Sequence, residues 1–255
     1  MREFTLSAYR QYLKAIKSSY PKIITFADYF STPNLAESFI IIRHDVDRKP
    51  RNALKMAMLE SDMEIRSTYY FRTKSHVFKP EIISHIATLG HEIGYHYESL
   101  SDARGNHEKA LIYFEQDLKK LRKIVPIKTI AMHGSPLKPY DNRDMWKDVR
   151  KHFHLTNILK IHGEIYLDIN YSDIAYIADT GRNWSAVLSN RRDRVKSSIT
   201  ANFKNRSELL DCFKKACYPK IVFQVHPERW SDSYIEYLTQ WVKDNIANIA
   251  KEISR

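Results

Sequence analysis

One stretch constrains this chain more than any other: Phe39 to Pro50, reading Phe-Ile-Ile-Ile-Arg-His-Asp-Val-Asp-Arg-Lys-Pro. Four apolar residues, mostly β-branched, make the short run typical of a fully buried strand. That strand delivers His44, Asp45 and Asp47 together at its carboxyl end. Two carboxylates one residue apart must repel, share a proton or hold a cation. On extended backbone both project to one side, because side chains alternate. One hard-oxygen metal ligand beside one free base is a natural reading. A solvated acidic turn is the other, and this stretch alone does not separate them.

The rest of the chain alternates. Thr5 to Ser18 places Leu6, Tyr9, Tyr12, Leu13 and Ile16 at helical spacing. Pro50 starts a helix, Ser67 to Phe71 reads as a second buried strand, and Pro80 to Leu89 as a helix stopped by Gly90. His91 to His96 is a third strand, Glu108 to Ile124 a long amphipathic helix, and Lys128 to His133 a fourth strand. Trp146 to His152 is a short helix, and Ile165 to Ile177 two short strands around a turn. Asn205 to Cys217 is a helix and Lys220 to His226 a strand. Ser233 to Ser254 closes as a helix with Tyr237, Leu238, Trp241, Val242, Ile246, Ile249 and Ile253 expected on its buried side. Strands alternating with helices predict an α/β fold with a parallel sheet or barrel. No repeat, linker or low-complexity segment divides residues 1–255, so a single domain is expected.

Composition bounds the function. Hydrophobic content of 43% and 12% aromatics argue for an ordered globule. No apolar run approaches the roughly 20 residues of a membrane span, and the first residues lack the apolar core of a signal peptide, so a cytoplasmic protein is expected. Cys212 and Cys217 match no common zinc or redox spacing and read as ordinary thiols. The net charge of +11 suits a nucleic acid, an anionic lipid surface or an acidic substrate. Arg182 to Lys220 holds ten basic residues against three acidic ones, but no nucleic-acid module accompanies it.

In parallel α/β folds the functional side chains gather at the carboxyl ends of strands. Here those ends carry Asp45 and Asp47, His96 with Glu98, His133, Asp179 with Arg182, and His226. One histidine alone reads as a hydrogen-bonded structural group. Three of them joined by an Asp-x-Asp read as a site. One Asp and two His give a divalent cation three protein ligands and leave a place for water.

The motifs His-Asp-Val-Asp, Gly-His-Glu-Ile-Gly-Tyr-His-Tyr-Glu, Met-His-Gly-Ser-Pro, Asp-Thr-Gly-Arg-Asn-Trp and Val-His-Pro-Glu-Arg-Trp occur in that order. In this the chain resembles the polysaccharide deacetylase (NodB-like, carbohydrate esterase family 4) superfamily, and within it a bacterial cytoplasmic subgroup. The resemblance runs from about Phe39 to Trp230. It implies a distorted (β/α)7-type barrel, with Asp45 as general base, Asp47 and His96 as metal ligands and His226 as general acid. The family's second ligand histidine lies four residues past the first, where this chain has Leu100. His133 is the expected replacement, with Glu98 as the substitute candidate; His91 stands at the wrong end of its strand.

A bound metal lowers the pKa of its water towards about 7 and polarises an amide oxygen. The expectation is a deacetylase or amidohydrolase of carbon–nitrogen bonds other than peptide bonds, with one divalent ion, zinc first. Its substrate would be an amino sugar in an intracellular precursor of a surface polysaccharide, and an anionic one would agree with the positive charge. Arg182 would hold Asp45 or an anionic group, or form a surface salt bridge. Trp184 and Trp230 would stack on a sugar ring or pack in the core. His44 is expected to be structural. Three rivals stand beside this: the same fold acting on a small non-sugar amide, a metal-free binding or scaffold protein, and a polyanion binder driven by the basic segment.

Overall fold

The computed structural model describes residues 2–135, 138–182, 184–185, 192 and 194–253. The strands run in the order β1 (Ile23–Ile24), β2 (Phe39–Val46), β3 (Thr68–Phe71), β4 (Glu92–Tyr97), β5 (Thr129–Met132), β6 (Gly163–Glu164), β7 (Ala175–Ala178), β8 (Trp184–Ser185), β9 (Asn202–Phe203) and β10 (Lys220–Val225). Between them lie α1 (Leu6–Ser19), α2 (Phe26–Ser31), α3 (Pro50–Ser61), α4 (Pro80–Thr88), α5 (Ser99–Asp102), α6 (His107–Arg122), α7 (Val149–Phe153) and α8 (Arg206–Lys215), with α9 (Tyr234–Ile253) at the end. The main sheet is parallel, in the order β6-β5-β4-β3-β2-β10-β7, and curls into a half-barrel wrapped by helices. β2 is the hub. Its first half pairs with the short β1, its second half with β3, and its other edge with β10 along its length.

Alternation along β2 sorts its side chains between two cores. Phe39 and Ile41 join Tyr70, Ala131, Tyr176, Ala178 and Val222 inside the curl. Ile40 and Ile42 pack outward against α1 and α8 through Tyr9, Tyr12, Leu209 and Phe213. Arg43 and Asp45 follow the inner parity, and His44 the outer one. Every residue of β2 is buried, so its polar end must be satisfied within the protein. Gly94 of β4 has a steric reason: a Cβ there would run into the Tyr70 ring, which crosses beneath Arg43 and bonds Thr129 Oγ1 at 2.9 Å.

Two expectations are corrected here, for the final helix and for the cysteines. The final helix turns its polar side inward. Gln240 and Asp244 are buried, while Leu238, Trp241, Val242 and Ile246 are exposed, because Asp244 answers buried arginines; the side chains of Ile249 and Ile253, and residue 254, lie outside the described residues. Cys212 and Cys217 are not thiols but a disulfide. The left-handed turn at Ala216 (φ 46°) brings their Cα atoms to 5.1 Å, within the usual bridging range. The basic segment does not form one patch among the described residues. Arg182 faces α9, Arg192 donates to the carbonyls of Gly134, Ser135 and Lys138, and Lys220 pairs with Asp173; residues 183, 186–191 and 193 of the segment lie outside the described residues. No described helix is long and apolar enough to cross a membrane.

Candidate metal centre and acid–base pair

The carboxyl ends of β2, β4, β5 and β10 meet inside the curl and bring Asp45, Asp47, His96, His133 and His226 together. The two β2 aspartates are held in different ways. Asp45 is gripped from its own strand: Arg43 Nε donates to Oδ1 at 2.7 Å and Nη2 to Oδ2 at 2.8 Å. Gln224 Nε2, one strand over on β10, donates to Oδ2 at 2.6 Å. Arg43 is itself fixed by the hydroxyls of Tyr166 and Tyr176, at 2.8 and 3.0 Å, and Tyr176 donates on to Gln224 Oε1. Burial pushes the Asp45 carboxyl up, but Arg43, His96 and His226 outweigh it and keep it below the ordinary carboxylate value. Three donors occupy three of about four lone-pair positions, leaving one for chemistry.

Asp47 lies one turn of pleat further out and has no such grip. Its Oδ1 is buried with no hydrogen-bond partner. Two imidazoles face it, with His96 Nε2 at 3.3 Å and His133 Nε2 at 3.6 Å. Each ring is anchored at its far nitrogen. His96 Nδ1 lies 3.0 Å from the Ala131 carbonyl, so it donates, and His133 Nδ1 lies 3.1 Å from Glu98 Oε2 and 3.0 Å from Ser135 Oγ. Glu98 also takes both Nε and Nη2 of Arg72, at 2.9 and 2.6 Å. That spends it on orienting His133. Burial lowers the His133 imidazole, but Asp47 and Glu98 outweigh it and raise it to about 10; Asp47 in turn sits well below the carboxylate range. A charge surplus that holds a proton there would hold a divalent cation, whose binding displaces the proton.

These residues fit a metal on two counts. The orphaned oxygen faces two nitrogens whose tautomers are set by outer partners, the usual device at metal-binding histidines. The two separations from Asp47 Oδ1, 3.3 and 3.6 Å, also lie close to the edge of about 3.3–3.4 Å of a tetrahedron with ligand bonds of about 2.0–2.1 Å. Among the described residues no three His, Cys, Asp or Glu side chains close into a full ligand set. Leu100, four residues past His96, is buried in the outer core.

His226 ends β10 and is bound at its far side. Its Nδ1 lies 2.6 Å from Asp179 Oδ1 and its backbone N–H donates to Oδ2 at 2.9 Å. Arg229 Nη1 and Trp230 Nε1 complete the shell of Asp179, each at 2.9 Å. Burial and Arg229 push the imidazole down, and Asp179 with Asp45 outweighs them, so its pKa is raised. The ring keeps Nε2 for the site and is suited to carry a proton there.

Three sequence-predicted substrate contacts sit elsewhere. Arg182 lies between the rings of Phe4 and Tyr237 and bonds Asp244 through Nε at 2.9 Å, so it does not hold Asp45. Trp184 and Trp230 are 2% and 1% exposed in an aromatic core with Phe4 and Tyr12, where no sugar can reach their faces. His91 is structural, with Nδ1 accepting from Ser67 N and Nε2 on the Ala57 carbonyl. Sequence reasoning assigns no role to Arg43, although its two-residue spacing from Asp45 on a strand places both on one face. It names Asp179 only as a strand-end residue, and nothing local in the sequence pairs Asp179 with His226.

No family model matches the sequence, and no curated protein matches it. Among solved structures the chain is similar to a carbohydrate esterase family 4 pseudoenzyme from Bacillus anthracis, at 11% identity over 80% of this chain and 59% of that one, with a TM-score of 0.42. It is similar to the catalytic domain of a peptidoglycan N-acetylglucosamine deacetylase from Eubacterium rectale, at 13% identity over 84% and 87% of the two chains, with a TM-score of 0.45. A family 4 carbohydrate esterase from Bacillus anthracis aligns at 12% identity over 81% and 73%, with a TM-score of 0.38. At these levels no chemistry transfers from those proteins to this one.

Proposed function

We propose that this chain belongs to the polysaccharide deacetylase superfamily and is a metal-dependent hydrolase of a carbon–nitrogen amide bond, removing an N-acetyl group from an amino sugar. The observation that carries this reading is the division of labour at the end of β2. Asp45 is ionised, gripped by Arg43 and Gln224, and free at one lone pair. Asp47 is left bare before two anchored imidazoles. Asp47, His96 and His133 would hold the cation, zinc first. When bound, such an ion polarises a carbonyl and activates water near neutral pH.

The protein's own groups supply the proton transfers. Asp45 accepts the proton of the attacking water, because Arg43 keeps it ionised and aimed. His226, its pKa raised by Asp179, donates a proton to the departing amine through Nε2. Arg43 and Asp179 thus act as positioning residues for the base and the acid.

An anionic substrate is supported by a cavity of about 590 Å³ lined by Arg143, Lys147, Arg194 and Lys196 together with Tyr166 and Tyr171. It borders the site through Tyr166, whose hydroxyl accepts from Arg43. Among its described lining residues none is acidic, although Arg143 and Lys147 pair behind it with Asp141 and Asp144. This suits an amino sugar carrying a phosphate or carboxylate. One sequence feature favours a second reading, a metal-free scaffold: Leu100 replaces the family's second histidine.

Release of acetate from N-acetylglucosamine oligomers and from a nucleotide-linked N-acetylamino sugar, with and without chelator, tests both readings. Chelator-sensitive release supports the hydrolase. Absence of release together with absence of bound divalent ion leaves the scaffold.

A further inference from the structure

The basic cavity beside the site is larger and more mixed than one anionic group needs. Its volume of about 590 Å³ falls in the range of small-molecule pockets and is the liquid share of about twenty waters. Beside its cations stand the apolar side chains of Leu167, Ile169 and Val195. A charged part and an apolar part in one cavity describe a ligand that has both.

Two of its walls are tied to the reacting groups. Tyr166 lines it, and the Tyr166 hydroxyl accepts at 2.8 Å from Arg43, the arginine that grips Asp45. Two guanidinium groups lie over the Tyr166 ring, Arg43 at 4.9 Å from its centre and Arg143 at 5.7 Å. The second wall, Arg194 to Lys196, follows Arg192, whose Nη1 donates to the carbonyls of Gly134 and Ser135, each at 2.8 Å. Ser135 Oγ in turn lies 3.0 Å from His133 Nδ1. One wall is thus bonded towards the base and the other towards a metal ligand, so a single molecule can fill cavity and site together.

The donors suit phosphoryl oxygens. Lys196 is exposed and has no hydrogen bond or ion pair among the described residues. Asn170 Oδ1 accepts from Ser172 N at 3.0 Å, which leaves Nδ2 as a donor without a partner among the described residues. Lys147 is held only by the exposed Asp144, a surface pair of little strength. Arg143 is locked on Asp141 and forms a fixed wall. A carboxylate offers two oxygens to such a set, whereas linked phosphates offer several strong acceptors.

We propose that this cavity takes the carrier end of the substrate, a diphosphate against Lys147, Asn170 and Lys196 with the carrier's apolar or aromatic group on Leu167, Ile169 and Val195. This rests on the amino-sugar reading above and narrows it to a sugar deacetylated while still joined through diphosphate to its carrier. A nucleoside and a polyisoprenyl chain share that chemistry.

The test is titration of the full chain, in chelator so that no bound ion supplies affinity, with inorganic pyrophosphate, uridine diphosphate and farnesyl diphosphate. Pyrophosphate should bind, and one of the other two should bind about tenfold tighter, which identifies the carrier. Lys196→Gln should weaken that ligand about tenfold, and so should Asn170→Asp, which keeps the bond from Ser172 N but removes the donor. Arg10→Gln removes the same charge as Lys196→Gln from a separate depression and should stay within about twofold of the parent. An equal loss in Arg10→Gln would mean attraction to net charge alone and overturn the proposal. Absence of pyrophosphate binding, or carrier diphosphates no tighter than pyrophosphate, would overturn it too. Acetate release without diphosphate binding would keep the hydrolase and remove this subsite; diphosphate binding without acetate release would keep the subsite and remove the hydrolase.

Discussion

The two faces of β2 carry buried clusters of the same residue types, and they end in opposite states. On the outer face His44 Nε2 lies 2.7 Å from Glu60 Oε1, and Glu60 also accepts from the hydroxyls of Tyr9 and Tyr69, the latter at 2.7 Å. The His44 ring stacks on Tyr69 at 4.0 Å, and His91 lies 3.7 Å from Glu60 Oε2. Every carboxylate oxygen there is satisfied. On the inner face Asp47 keeps a buried Oδ1 with no hydrogen-bond partner. A histidine–acid cluster whose carboxylate is saturated holds a fold together; one whose carboxylate oxygen is bare waits for a ligand. Residue type alone does not separate them.

The sharpest way to break this contrast is to cut each cluster at its acid. Asp47→Ala should lose bound metal beyond detection, and His133→Ala should weaken it at least tenfold, with little loss of thermal stability in chelator. Glu60→Ala should do the reverse, costing about 3–5 kcal/mol in denaturant unfolding because it removes the acid that pairs with His44 and accepts from two tyrosine hydroxyls. A Glu60 variant that folds normally but loses metal would erase the distinction.

Acidity sharpens it further. Burial raises the Glu60 carboxyl, but His44 and His91 outweigh it and hold it at about 2, below the ordinary glutamate value of about 4.5. Its stabilisation is therefore complete above the unfolded value and lost as pH falls from about 4.5 towards 2, amounting to ~3 kcal/mol. Glu60→Gln should flatten stability against pH in that window. An unchanged acid slope would place the titrating group elsewhere.

Inside the site, His226 and Asp179 set the alkaline side. The rate should fall at a pH above the ordinary imidazole value of about 6.5, because Asp179 raises the His226 pKa. Asp179→Asn should move that limb downward and cut turnover by about tenfold to a hundredfold. An unmoved limb would mean that His226 is not the acid. The smallest effect is expected at Glu98. Glu98→Gln should weaken metal binding by about tenfold at most, as for an outer partner that orients a ligand; a loss as large as that of His133→Ala would make it a ligand.

Much of this was legible in sequence, for local reasons. The β2 run, the capped helices and the histidines at strand ends follow from periodicity and turn residues, and β10 and α8 stand within two residues of expectation. His44 was readable as structural, since alternation sends it away from Asp45. What was not legible depends on contacts across the chain. Asp179 meets His226 over 47 residues of sequence. The last helix hides Gln240 and Asp244 because Arg182 and Arg229 need an acid, which no helical wheel encodes. Trp184 and Trp230 lie near chemically active residues in sequence but belong to the aromatic core behind them.

The central claim is that the two aspartates of one Asp-x-Asp do separate work, with Asp45 the base and Asp47 the ligand. The most direct measurement is a metal titration of Asp45→Asn, read together with its turnover. Asp45 already has three donors and Asp47 none, so the variant should bind the divalent ion within a few-fold of the parent while turnover disappears. Loss of the metal from Asp45→Asn would make Asp45 a ligand and contradict the division.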